Sequence, residues 1–167
     1  MTALRAQDRL QPALLDRLTD DEPDSRVESA EQRVINRNRL RAMVLRDLSW
    51  LFNTTQGSVV DSQVAPYAAR SVLGYGLPPL AGLTASSVRS VALEERVRQA
   101  ILDYEPRILP DSLRVEAVVT ERQLDHHNQI GFIISGHLWS QPVPLELLLH
   151  TDVDLETGRV DVREGRG

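Results

Sequence analysis

Glu105 and Arg107 flank Pro106 in the segment Asp103-Tyr104-Glu105-Pro106-Arg107-Ile108-Leu109-Pro110, so a carboxylate and a guanidinium project from either side of a bend. Two chemistries suit such a fork. The pair can close on itself and lock the junction, or it can offer a partner bidentate, geometry-sensitive contacts. Acidic residues also raise the prospect of glycoside hydrolysis, which needs an acid and a nucleophile or base about 5–10 Å apart across a cleft. Glu105 with Asp103 or Glu116 is the nearest such set. Against it stands a chain with only two Trp, three Tyr and two Phe, of which Trp50, Phe52, Tyr104 and Phe132 fall on apolar stripes and suit a core better than a sugar platform. Of four histidines, His126 and His127 adjoin in a polar loop, while His137 and His150 lie on strands and could come close across the sheet. Neither spacing predicts the converging ligands and supporting hydrogen bonds of a metal site. No metal and no cofactor are expected.

With zero cysteines, thiol nucleophiles, disulfides and cysteine-based metal sites are excluded. There is no phosphate-cradling glycine loop, no GxGxxG, no HExxH, no GxSxG and no calcium loop. A catalytic role therefore has little grammar to rest on, and the chain is expected not to be an enzyme.

These residues must be positioned by helices and strands. Leu40, Val44, Leu48 and Leu51 recur at helical spacing up to Phe52, and Ser29-Ala30-Glu31-Gln32 forms a capping box ahead of them. The pattern predicts a long helix from Ser29 to about Phe52, with Arg33, Arg37 and Arg41 on a face that meets water. A loop follows through Gly57. Pro66 to Leu73 reads as a short helix with proline in its first turn, stopped by Gly74-Tyr75-Gly76-Leu77-Pro78-Pro79. A second long helix runs from Thr84 or Ser86, on the stripe Val88, Val91, Val97, Ala100, Ile101 and Tyr104, with Glu94 four residues ahead of Arg98 as a supporting pair. It should end at Tyr104 or Glu105, because proline disfavours the helical region for the residue before it.

Beyond Pro110 the period falls from about 3.6 to 2. Leu113, Val115, Ala117 and Val119 alternate with other residues, as do Ile130, Phe132, Ile134 and Leu138, and then Val143, Leu145, Leu147, Leu149, Val153 and Leu155. Glu156-Thr157-Gly158 fits a tight turn into a last strand at Arg159-Val160-Asp161-Val162. Short connections make the strands antiparallel. The fold class is α+β: N-terminal helices packed on one face of a small antiparallel sheet of three or four strands. Residues 1–28 form an arm, partly flexible, with the spaced leucines Leu10, Leu14, Leu15 and Leu18 before an acidic, proline-broken linker. Residues 29–167 form one domain, helical over 29–110 and sheet-forming over 111–163.

The 167 residues carry 24 acids and 19 basic groups, a net charge of −5, and every basic residue is arginine. Acids and arginines are balanced over residues 1–50, and acids dominate from residue 91 onward. Nucleic acid would repel such a surface, so none is expected as a partner. No apolar run approaches the roughly 20 residues needed to cross a bilayer, and the start lacks a secretory signal's apolar stretch, so a cytoplasmic location without membrane insertion is expected.

Five segments carry a resemblance. Leu14 to Thr19, Arg46-Asp47-Leu48-Ser49-Trp50-Leu51-Phe52-Asn53-Thr54, Arg70 to Pro78, Glu105-Pro106-Arg107 and Leu155 to Val160 together resemble, in order, the TssE family of type VI secretion baseplate subunits. That family groups with the small wedge protein of contractile phage baseplates and has carried a "lysozyme-like" label. The resemblance implies a scaffold subunit of a heteromeric baseplate docked to the inner membrane complex, with other wedge subunits and sheath proteins as partners. It assigns Glu105, Pro106 and Arg107 to assembly, and it implies strands onto which the first sheath ring builds. An open sheet edge is a template for strand addition, and Val160, Asp161 and Val162, on a short charged strand, are the expected edge. A peptidoglycan-cleaving glycoside hydrolase is the competing expectation.

Overall fold

The computed structural model describes residues 13–19, 37–57, 64–80, 91–118, 129–140 and 143–165. In chain order the elements are α1 (Leu14–Leu18), α2 (Arg37–Phe52), α3 (Pro66–Ala69), a 3-10 turn at Val72–Gly74, α4 (Val91–Tyr104) and a second 3-10 turn at Pro110–Ser112. Four strands follow: β1 (Arg114–Val118), β2 (Gln129–Leu138), β3 (Leu145–Asp154) and β4 (Val160–Glu164). They form one sheet in the order β1-β2-β3-β4, with every neighbouring pair antiparallel. The fold class is α+β, helices first and sheet after.

The helical stripe of α2 is buried as its spacing requires: Leu40, Val44, Leu48, Leu51 and Phe52 all lie in the core, joined by Met43. From α4 come Leu93, Val97, Ala100 and Ile101. The period-2 positions of the sheet supply the opposite wall, with Phe132, Ile134, Leu138, Leu145, Leu147, Leu149, Val153 and Val160 buried. Register brings Ile134 opposite Leu149 and Val153 opposite Val160, so these pairs share the face that the helices cover. Each such aliphatic side chain contributes about 1.5–3 kcal/mol by leaving water.

Two turns orient the rest. Helix α4 ends with the Glu105 N–H on the Ile101 carbonyl (2.8 Å), and Pro106 then stops it. Between β3 and β4, the Asp154 carboxylate accepts the N–H groups of Glu156 (2.8 Å) and Thr157 (3.1 Å), and Gly158 takes φ +73. Those donors, Thr157 first and then Glu156, hold the Asp154 carboxyl below its ordinary pKa.

Several expectations change. The piece expected as one helix over Pro66 to Leu73 is a single α turn followed by a 3-10 turn, because Tyr104 Oη and the local chain organise it through the carbonyls of Ala69 and Ser71. Trp50 lies outside the core: it is 51 % exposed, with the Arg46 guanidinium 5.0 Å from its ring centre. Tyr104 is half-buried, and Val143 is exposed just before β3 begins. Glu94 does not pair with Arg98, which instead faces Glu95 at 3.6 Å. Arg41 does more than meet water, donating to the Glu146 carbonyl (3.0 Å). The capping box at Ser29, the starts at Thr84 and Ser86, and the loop holding His126 and His127 lie outside the described residues.

Candidate functional site

The bend at Pro106 is built from the end of α4 and the strand-like segment behind it. Ile108 bridges Leu138, the Leu109 N–H donates to the His137 carbonyl (2.8 Å), and the Trp139 N–H donates to the Arg107 carbonyl (2.7 Å). The backbone of the bend is thus fixed to the end of β2. Pro106 is exposed, Glu105 is 3 % exposed and Arg107 is half-buried.

The fork closes inward. Arg107 Nε and Nη2 donate to the two Glu105 carboxylate oxygens at 2.6 and 2.5 Å, and Nη2 also reaches Asp47 at 2.5 Å. Asp47 in turn accepts twice from Arg46, at 2.9 and 2.7 Å. Arg46 completes the chain by pairing with Asp16 of α1 at 2.8 Å, and Asp16 Oδ2 lies 4.0 Å from Arg107 Nη1. Three carboxylates and two guanidiniums therefore form one cluster, in which the Asp16 side chain is 2 % exposed. Burial alone would lower the Arg107 pKa, but Glu105 and then Asp47 more than offset it, and the net displacement is upward. Asp16 is the first cause of the upward displacement at Arg46. Burial raises Tyr75, and the charges of Asp47 and Glu105 add to the rise.

Sequence reading singled out Glu105 and Arg107 as chemistry but left Asp16, Arg46 and Asp47 unassigned. The available signal was negative: a charged pair directly before the buried Leu48, and an acid inside a leucine-rich turn, are placed where water is scarce. The same helix end organises the other resembling segments. Thr55 and Leu77 form a parallel bridge through Leu77 N–H to Thr54 C=O (2.8 Å) and Gln56 N–H to Leu77 C=O (2.7 Å). Gly76 permits that approach, since at φ +116 a Cβ would meet the Thr54 carbonyl oxygen at 2.3 Å.

Both sheet edges are partly occupied by side chains from the helices. On β1, the outward Ala117 N–H donates to the Glu94 carboxylate (2.8 Å). On β4, the Asn53 amide takes both outward groups of Val160, accepting its N–H at 3.0 Å and donating to its carbonyl at 2.8 Å. Because antiparallel pairs alternate, Asp161 directs its backbone groups toward β3 and Val162 directs them away, as does Glu164. Among the described residues nothing bonds these outward groups of Val162 and Glu164. Of the three edge residues named from sequence, Val160 is buried and occupied, Asp161 is exposed but turned inward by its backbone, and Val162 is open.

The remaining chemical candidates stand apart. His137 pairs with Glu146 and His150 with Ile133, four positions along the same strands, so about 13 Å separates the histidines and the sheet does not bring them close. Asp103 is held by Arg70 (3.0 Å) and Gln99 (3.0 Å), and Glu116 is exposed on β1. Among the described residues no helix is long and apolar enough to cross a membrane.

One family model matches, described as baseplate wedge protein gp25, over residues 38–143, which is more than half of the chain. No curated protein and no solved structure matches the chain.

Proposed function

The chain belongs to the gp25 baseplate wedge family, a family of structural baseplate proteins, and from that premise we propose that it is the TssE subunit of a type VI secretion baseplate. In this reading it is not an enzyme. It docks among other wedge subunits through the corner Glu105, Pro106 and Arg107, and it primes sheath assembly by strand pairing along β4 at Val162 and Glu164, since Asn53 holds Val160 and the backbone of Asp161 faces β3. It works in the cytoplasm on a baseplate seated at the inner membrane complex, with sheath and wedge proteins as partners and no nucleic acid.

The carrying observation is the convergence of three resembling segments, from α1, α2 and the Pro106 bend, on one ionic cluster. Such a cluster is weak evidence for stability but good evidence for a fixed arrangement, because each ion is positioned by at least one other. The ions hold the bend, and exposed Pro106 presents it. For β4, support comes from an edge strand whose outward groups are capped at Val160 and open at Val162. The competing muramidase reading would need Glu105 as an acid facing sugar. Both its oxygens are engaged by Arg107, and the side chain is 3 % exposed.

The test is association with purified wedge subunits. Replacing exposed Pro106 by Ala is expected to weaken wedge binding while leaving thermal unfolding nearly unchanged; unaltered binding would remove the corner from the interface. A peptidoglycan turnover assay separates the enzyme reading, since activity lost in Glu105→Gln would favour it.

A further inference from the structure

Asp16 sits in a receptor that does not depend on it. Arg46 donates from Nε and Nη2 to Asp47, Arg107 donates from Nε and Nη2 to Glu105, and Arg107 Nη2 also reaches Asp47. These contacts tie α2 to the Pro106 bend without help from α1. Each guanidinium has one nitrogen left, Nη1, and both Nη1 atoms turn to the Asp16 carboxylate, Arg46 at 2.8 Å from Oδ1 and Arg107 at 4.0 Å from Oδ2. Without Asp16 the frame holds two acids, Asp47 and Glu105, against two guanidiniums, balanced in charge and still cross-linked.

The fit of Asp16 is incomplete. At 4.0 Å the second contact is too long for a hydrogen bond, and both its atoms, Asp16 Oδ2 and Arg107 Nη1, are buried with no hydrogen-bond partner among the described residues. A buried donor and acceptor left unpaired are less stable than the same groups in water. Little else secures α1. It spans five residues, too few to hold a helix alone, has no side-chain bond at its N-cap, and leaves Leu14, Leu15 and Leu18 exposed. Residues 20–36 connect it to α2, a contour of at most about 60 Å, so α1 can leave the receptor and stay attached to the body.

We propose that Arg46 and Arg107 form a carboxylate receptor for an acidic residue of a wedge subunit, and that Asp16 of α1 holds it as a removable stand-in until the corner docks. This inference rests on the docking reading of the Pro106 corner and adds to it the partner's chemistry and an order of events. The occupant is a carboxylate because the two Nη1 donors come from separate arginines and converge on the two oxygens of one such group. Exchanging one carboxylate for another leaves the charge of the cluster unchanged. An acid carried on a partner is free of the geometry of α1. It can bring both oxygens to hydrogen-bond length and pair the Arg107 Nη1 that Asp16 leaves open. Until then the stand-in keeps unrelated acids out of the guanidinium pair.

Two measurements on the full chain test it. In the parent, amide exchange over residues 14–18 should quicken when purified wedge subunits bind, because α1 leaves, while α4 and the four strands keep their protection. Asp16→Asn weakens the stand-in and keeps the frame, so its affinity for wedge subunits should rise about tenfold over the parent, the effect of roughly one charge-assisted hydrogen bond no longer competing. The variant should also admit a probe. An acetylated, amidated Ala-Leu-Asp-Leu-Ala peptide should shift the Nε–H resonances of Arg46 and Arg107 and the Trp50 indole in Asp16→Asn but not in the parent, and the same peptide with asparagine for aspartate should shift none of them. No difference between the two peptides would overturn the carboxylate receptor. Exchange over residues 14–18 that is unchanged or slower on binding, or affinity unchanged or lower in Asp16→Asn while Pro106→Ala weakens it, would overturn the stand-in and leave corner docking intact. Wedge affinity unaltered in both Pro106→Ala and Asp16→Asn would overturn corner docking itself, and the receptor with it.

Discussion

At the scale of single residues, Arg107 is the ion on which the corner depends, since it faces Glu105, Asp47 and Asp16 together. Removing one partner of a buried pair leaves the other charged and uncompensated, which costs about 3–5 kcal/mol. Arg107→Ala and Glu105→Ala are therefore each expected to lose stability on that order in urea unfolding, with Arg107→Lys intermediate because an ammonium cannot make the two-pronged contact. A shift under about 0.5 kcal/mol in all three would show that the cluster is solvated. Asp154 gives a pH signature. Its folded pKa lies below the unfolded one, so its contribution is present above the ordinary carboxylate range and is lost as pH falls through the lowered value. The gap in urea midpoint between the parent chain and Asp154→Asn should shrink as pH falls below the ordinary carboxylate range. The turn acid and Gly158 were legible because a hairpin is local. The partners of Glu105 and Arg107 were not: Asp47 is 60 positions from Arg107, and no periodicity links them.

Among the elements, α2 carries the most consequences. Its inward stripe is set by a 3.6-residue repeat and was readable from spacing alone, as was the alternation in β2 and β3. Its outward residues were not readable in the same way. Asn53 follows the last turn of α2 and looks like a loop residue, yet it terminates the β4 edge. Asn53→Ala removes two hydrogen bonds from a buried strand residue. A loss of about 1–3 kcal/mol is expected, together with faster amide exchange at Val160. Unchanged exchange at Val160 would mean that the edge is closed by other means. Glu94 likewise looked like a helix-surface partner for Arg98, because spacing on one helix says nothing about an N–H on the neighbouring strand. Gly76→Ala tests the contact between the α2 exit and the Gly74–Leu77 segment. Its left-handed backbone and the 2.3 Å approach to Thr54 predict a loss of about 1–3 kcal/mol, read from thermal unfolding.

For the molecule as a whole, the arm and the sheet edge set what a neighbour meets. Helix α1 leaves Leu14 70 %, Leu15 46 % and Leu18 75 % exposed, while Asp16 is buried against Arg46, so a charge instead of an apolar face holds this part of the arm to the body. Composition suggested a partly flexible arm and gave no hint of this anchor, because a lone acid between leucines has no pattern. Asp16→Ala should speed amide exchange over residues 14–18 while α4 and the four strands keep theirs; unchanged exchange there would show that the leucines suffice. In the proposed reading this chain acts by lending a strand edge that Asn53 closes at Val160 and that is open at Val162 and Glu164. Amide exchange at Val162 and Glu164, measured in the free chain and in isolated baseplates carrying sheath, tests it most directly. Exchange at both residues should be fast in the free chain and strongly slowed after assembly, with Val160 slow in both states. Equal rates at Val162 and Glu164 before and after assembly would contradict it.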